Sequence, residues 1–236
     1  MAARTETVTV ADGTFDLPVW LPEGGRGPAI LLIQEIFGVG PYIRAVAGDL
    51  AALGYVVAAP DLFWRVRPGF VAKPGKEGLQ EAMDTASRFD PGTGVADLEA
   101  AHDHLAALPE VSGGVGALGF CLGGSLGYAL AARTKLTAVV SFYGSNVPET
   151  LDLLDDITCP LQFHFGGADP YIPREQVAAV ERAVADRPNV EIHVQEDGGH
   201  AFHNRTSPMF HQPEPAARAW GLTEEFLARH LPVQDV

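Results

Sequence analysis

An apolar run, Val115 to Leu118, leads into Gly119-Phe120-Cys121-Leu122-Gly123-Gly124, and a second apolar run, Leu126 to Ala132, follows at helical spacing. A strand that turns sharply into a helix through a G-x-C-x-G pentapeptide leaves few folds open. The glycines permit a tight turn and a close approach of helix to strand. The residue between them is pushed out at the carboxyl edge of a sheet, at a helix N-terminus, where N–H groups and the helix dipole favour a thiolate. This is the context of a nucleophile elbow, with cysteine where serine is usual. The bland alternative is a buried thiol that merely packs.

The rest of the chain repeats the strand-then-helix alternation. Thr5–Val10 and Phe15–Trp20, joined through Ala11-Asp12-Gly13, read as a hairpin. Apolar runs at Ala29–Ile33, Tyr55–Ala59, Leu136–Tyr143, Leu161–Phe165 and Val190–Gln195 read as strands. Helical spacing covers Tyr42–Leu53, closed by Gly54, then Leu79–Arg88, Val95–Leu108, Glu175–Asp186 and Pro215–His230. Such alternation implies βαβ crossovers and a mostly parallel sheet with helices on both faces. No repeat or linker divides the 236 residues, so one α/β domain over 1–236 is expected.

Composition removes several function classes. Sixteen Lys+Arg against thirty Asp+Glu give a net charge of −14, a surface that repels nucleic acid and anionic membrane. No apolar stretch approaches a membrane span, and Met1 to Glu6 carry no leader-like apolar core. The two cysteines, Cys121 and Cys159, fall in different elements, which suits a reducing cytoplasm and makes neither a disulfide scaffold nor a zinc site. A small-molecule substrate and a monomer or small homo-oligomer are expected.

Polar residues stop at informative places. The strand at 29–33 leads to Glu35, that at 115–118 to Cys121, that at 161–165 to Asp169, and that at 190–195 to His200. Ligands of open α/β sheets bind beyond the carboxyl ends of the strands. Each residue has a structural alternative: a solvated acid for Glu35, a helix N-cap for Asp169, a surface turn for His200. Taken together, nucleophile, then Asp, then His is the chain order of an α/β-hydrolase triad. His200 would take and return a proton while Asp169 fixes its tautomer.

With Gln34-Glu35-Ile36-Phe37-Gly38, Pro60-Asp61-Leu62-Phe63, Gly119 to Gly124, Gly166-Gly167-Ala168-Asp169 and Gly199-His200 in this order, the sequence resembles the dienelactone hydrolase family nearly end to end. The resemblance implies an α/β-hydrolase fold and hydrolysis of an enol-lactone through an acyl-enzyme on Cys121. It implies a Cys121–His200–Asp169 triad, Glu35 touching the resting thiol, an oxyanion hole of the Ile36 and Leu122 N–H groups, and no metal or organic cofactor. A carboxylesterase or thioesterase on the same machinery, or a binding protein of the same fold, are the alternatives.

The sequence departs from the family pattern where that family binds a substrate carboxylate. Glu77 to Glu81 contains no arginine, Phe63 stands for a tyrosine, and Ala201 follows the histidine where the family has serine. Arg65 and Arg205 are the candidate replacements, and Phe37, Phe63, Tyr143 and Phe202 are candidate pocket walls.

Overall fold

A computed structural model describes residues 4–234; Met1 to Ala3, where the segment read for a leader begins, lie outside the described residues. The strands are β1 (Arg4–Val10), β2 (Gly13–Trp20), β3 (Gly27–Ile33), β4 (Val56–Ala58), β5 (Val111–Phe120), β6 (Val139–Phe142), β7 (Leu161–Gly166) and β8 (Val190–Gln195). The helices are α1 (Pro41–Ala52), α2 (Gly75–Ala86), α3 (Pro91–Ala106), α4 (Leu122–Ala131), α5 (Arg174–Val184) and α6 (Pro213–His230). Two short 3₁₀ turns, at Val147–Glu149 and Leu151–Asp155, fall where the sequence carries no periodic signal.

All eight strands form one sheet in the order β1-β2-β4-β3-β5-β6-β7-β8. From β4 to β8 every pairing is parallel, and the β1–β2 hairpin joins antiparallel at the β4 edge. Central β3 reads as uninterrupted apolar sequence because it is covered on both faces, and Ala29 through Ile33 are fully buried. Burying each large aliphatic side chain there contributes roughly 1.5–3 kcal/mol. Helices α3 and α4 pack on each other and on β3 and β5, while α1 lies against β4 and α6 against β7 and β8.

The chain runs from β3 outward to β4 and then returns to the other side of β3 as β5. That reversal opens a crevice beyond the ends of β3 and β5. Ile33 pairs with Gly119, so Glu35 and Cys121 each stand two residues past the same register position. Among the described residues, no helix is long and apolar enough to cross a membrane.

Candidate active site

Cys121 sits where β5 turns into α4, with φ 53° and ψ −113°. Left-handed φ is costly for a non-glycine residue, and the surroundings hold it there. Cys121 N–H donates to Phe142 O of β6 (3.0 Å), and Cys121 O accepts from Ser125 N–H in the first turn of α4 (3.1 Å). Two glycines make the crossing possible: a Cβ on Gly119 would lie 2.0 Å from Gly123 O, and one on Gly123 would lie 2.3 Å from Ile33 O. Only three described non-glycine residues have positive φ, and the other two, Tyr143 and Ala201, also flank the site.

His200 approaches from the loop after β8, its Nε2 3.1 Å from the Cys121 sulfur and its Nδ1 2.7 Å from Asp169 Oδ2. The two loops that bring Asp169 and His200 together are fastened by Ala168 N–H to Gly198 O (2.9 Å) and Gly167 N–H to Gln195 O (2.7 Å). Asp169 is not a helix cap, because α5 starts at Arg174 with Pro173 before it. Its Oδ1 instead accepts the N–H groups of Tyr171 (2.8 Å) and Ile172 (3.3 Å), which turns Oδ2 toward the imidazole. Burial opposes charge on His200, yet the hydrogen bonds to Asp169 and to the sulfur outweigh it and raise the imidazole to about 10. The ring is walled by Tyr143 (centroids 5.3 Å apart) and by the edge of Tyr171 (5.0 Å).

Glu35 is only 1% exposed. Its Oε2 accepts from Asn204 Nδ2 at 2.8 Å, and its Oε1 is buried without a partner. Burial dominates its titration and lifts the carboxyl to about 7, against the opposing pull of His200 and the Asn204 amide. Asn204 cannot turn away, because its Oδ1 already accepts Thr206 N–H (3.2 Å) and Thr206 hydroxyl (3.0 Å). One residue earlier, His203 Nδ1 meets the Tyr42 hydroxyl at 2.7 Å and its ring stacks between Phe120 and Trp220. Burial lowers His203 to about 3, so it is a neutral core histidine that ties this loop to α1.

The structure therefore differs from the resting contact implied by the family resemblance. The thiol is hydrogen-bonded to His200 and, among the described residues, not to Glu35, whose bound oxygen faces Asn204. Asn204 carries no sequence signal of its own, since its partner lies 169 residues away. The Ile36 and Leu122 N–H groups have no intramolecular acceptor among the described residues. The close crossing of Gly123 under the end of β3 brings their two segments together.

A cavity of about 350 Å³ opens on Cys121 and His200, a size suited to a small ligand. Ile36, Phe37, Leu79, Met83, Tyr171 and Phe210 supply its apolar walls, with Glu35 and Glu149 also lining it and, among the described residues, no arginine or lysine. Of the six candidate pocket residues, only Phe37 lies in this lining. Phe63 is fully buried among Phe70 and Phe89. Tyr143 and Phe202 are fully buried too, packed on each other beneath His200. Arg65 lies over the Trp64 ring, 4.0 Å from its centroid, and pairs with Asp12 (2.7 Å) and with buried Asp97. Arg205 is turned outward to Asp49 of α1 at 2.6 Å. Neither arginine reaches the cavity, because each has a carboxylate partner elsewhere. Leu79, Met83, Tyr171 and Phe210 are the walls that sequence reasoning missed; Leu79, Met83 and Phe210 sit on a helix and a loop away from every motif, and Tyr171, two residues past Asp169, carries no sign of which way it faces.

A mostly parallel sheet with Cys121 at the sharp turn after β5, Asp169 after β7 and His200 after β8, joined in one hydrogen-bonded chain, is the α/β-hydrolase arrangement. Comparison with known proteins narrows that class: the chain belongs to the dienelactone hydrolase family, whose model matches residues 15–231. A carboxymethylenebutenolidase of Pseudomonas sp. (strain P51) is 35% identical over 95% of this chain and 94% of its own. Another, of Pseudomonas putida, is 34% identical over 95% and 96%. A dienelactone hydrolase-like promiscuous phosphotriesterase from metagenomic libraries shares the fold, with TM-score 0.81, 23% identity and coverage of 97% and 98%. The protein is a hydrolase of the lactone- and ester-cleaving kind that this family defines.

Proposed function

We propose that this protein hydrolyses a small ester or lactone that bears no carboxylate near the reacting carbonyl, using Cys121 as nucleophile. The observation that carries this reading is the thiol–imidazole–carboxylate chain, 3.1 Å and then 2.7 Å, opening into a cavity with no cationic lining residue. Carboxylate recognition calls for arginine or lysine, and the two candidate arginines are engaged elsewhere. The curated relatives are named for carboxymethylenebutenolide, a lactone with a carboxylate arm, so this chain is assigned the same bond type on a more neutral substrate.

The sulfur of Cys121 attacks the carbonyl carbon, and the developing oxyanion is taken up by the Ile36 and Leu122 N–H groups. The imidazolium of His200 gives its Nε2 proton to the departing alkoxide, which in a lactone (an enolate in an enol-lactone) stays tethered to the acyl group. Acylation removes the sulfur as a hydrogen-bond acceptor, one of the supports of the raised His200. His200 then becomes neutral enough to take a proton from water, which attacks the thioester and releases the acid and the thiol. Asp169 holds Nδ1–H throughout. Two unpaired cysteines suit a reducing, cytoplasmic setting.

The test uses phenyl acetate, a neutral γ-lactone and a lactone carrying a carboxylate arm, with wild type and Cys121→Ala. The wild type should favour the two neutral compounds in kcat/KM by at least tenfold. Cys121→Ala should lose at least 10³-fold with its thermal unfolding little changed. Retained hydrolysis in Cys121→Ala would remove the nucleophile assignment, and preference for the carboxylate-bearing lactone would remove the substrate assignment.

A further inference from the structure

Behind the reaction cavity lies a second, of about 480 Å³. The two share Glu35, Phe37, Leu79 and Phe210, so they abut. The partition between them is the Phe37–Phe210 pair, with ring centroids 6.2 Å apart. The second chamber is walled chiefly by Pro41, Ile43, Val71, Pro74, Pro208 and Met209. Lys73, at its exposed outer rim, is its one cationic lining residue.

Exposed apolar side chains are concentrated here. Six large apolar residues are exposed among the described residues: Leu53, Val71, Met83, Tyr171, Met209 and Val233. Four of these six line the two cavities, Met83 and Tyr171 the first, Val71 and Met209 the second. A surface that otherwise carries strong net negative charge thus keeps its uncovered apolar area at the mouths of adjoining chambers, the signature of a ligand rather than of chance. The inner end of the second chamber is Glu35, with its unpartnered buried Oε1, so the chamber reaches the reacting groups rather than ending as a surface dent.

The two sides of the partition are anchored unequally. Phe37 is fixed at its backbone by Ala72 N–H to Phe37 O (3.1 Å) and by the adjoining Gly38–Val71 bridge. Phe210 belongs to a loop held by the local turn Phe210 N–H to Ser207 O (3.1 Å) and by Gln212 N–H to Phe202 O (2.9 Å). Phe210 is thus on the side held by turns within its own loop and to Phe202, not by the Phe37–Ala72 strand-like pairing.

We infer that the second chamber is a subsite for an unbranched alkyl arm of the substrate, reached from Cys121 past Phe210. This rests on the ester- or lactone-cleaving reading above and names the kind of ester. The arm belongs to the acyl part or to the alcohol part, and two substrate series separate these: p-nitrophenyl esters from acetate to octanoate, and n-alkyl acetates from ethyl to octyl.

In one of the two series kcat/KM should rise about fourfold per added methylene, the selectivity expected from burying each one. Filling the chamber by Ser207→Trp, and independently by Ala72→Phe, should lower the ratio of longest to shortest substrate at least tenfold. Each variant's folding is checked by its near-ultraviolet circular dichroism. No rise with length in either series, or a ratio within twofold of wild type in both folded variants, overturns the inference.

A second readout does not depend on turnover. Calorimetric binding of 1-butanol, 1-hexanol and 1-octanol to Cys121→Ala should tighten about fourfold per methylene, and the trend should vanish when Ser207→Trp is added. Hydrolysis that survives Cys121→Ala would defeat the nucleophile assignment while leaving this binding trend to decide the subsite. Equal affinity for the three alcohols overturns the subsite even if Cys121 is the nucleophile.

Discussion

Two buried carboxylates flank Cys121, and the chain treats them oppositely. Asp169, beyond β7, receives two backbone N–H groups on one oxygen and the imidazole on the other. Glu35, beyond β3, receives one side-chain amide on one oxygen and nothing on the other. Both are buried, and they differ in how many of their lone pairs are met among the described residues. Burial lifts the half-satisfied Glu35 to about 7, so it changes charge near neutrality.

Breaking the satisfied side should have the largest effect. In Asp169→Asn the amide would donate to Nδ1 of His200, leaving Nε2 protonated and unable to accept from water. We expect kcat to fall by about 10³–10⁴-fold. The histidine titration, followed by NMR, should drop from about 10 toward its ordinary 6.5. A loss smaller than tenfold, or an unmoved titration, would show that Asp169 does not govern the imidazole.

The half-satisfied side is sharpened by pH. Unfolded, Glu35 titrates near 4.5; folded, near 7. Between those values the native state binds more protons than the unfolded one, so this residue's contribution makes stability fall as pH rises from 4.5 to 7. At about 1.4 kcal/mol per pH unit the total is about 3 kcal/mol. Glu35→Gln keeps the shape and removes the titration. Relative to wild type it should therefore gain about 3 kcal/mol between pH 4 and pH 8 in urea unfolding. Parallel pH dependences in the two proteins would show that Glu35 is not held neutral by burial.

The same contrast explains what the sequence disclosed. Glu35, Cys121, Asp169 and His200 are legible because each follows within a few residues of a strand-like run, apolar or alternating, and parallel strands end at one edge. The sheet was legible for the same reason. Strand β5 is longer than its apolar stretch only because Val111 to Gly114 extend it as half-buried or exposed backbone pairing. The walls of the cavity were not legible. Phe63 and Phe202 adjoin the motifs yet face inward, and Met83 and Phe210 adjoin nothing yet face the thiol. An apolar side chain reads alike in core and in pocket, and only the path of the backbone distinguishes them. Arg65 and Arg205 were misleading because their partners, Asp97 and Asp49, lie on helices far along the chain.

Asn204 gives the finest test, since it touches neither the thiol nor the imidazole in the hydrogen-bond pattern and acts through Glu35 alone. With Oδ1 committed to Thr206, its Nδ2 is the single donor that tempers the desolvation of Glu35. Asn204→Ala removes a hydrogen bond to a charged group, worth roughly 1.5–3 kcal/mol, or about one to two pH units on the carboxyl. The Glu35 titration should move upward from about 7 by that amount, seen in the carbon shift of the labelled carboxyl. The fall of stability with pH should extend correspondingly further toward alkaline pH, because the native state then keeps its extra proton over a wider range. Asn204→Gln, which restores an amide on a longer arm, should return part of the shift. If Asn204→Ala leaves the titration in place, burial and the neighbouring His200 set the Glu35 carboxyl without the amide, which is then only a fastening of the loop after His200.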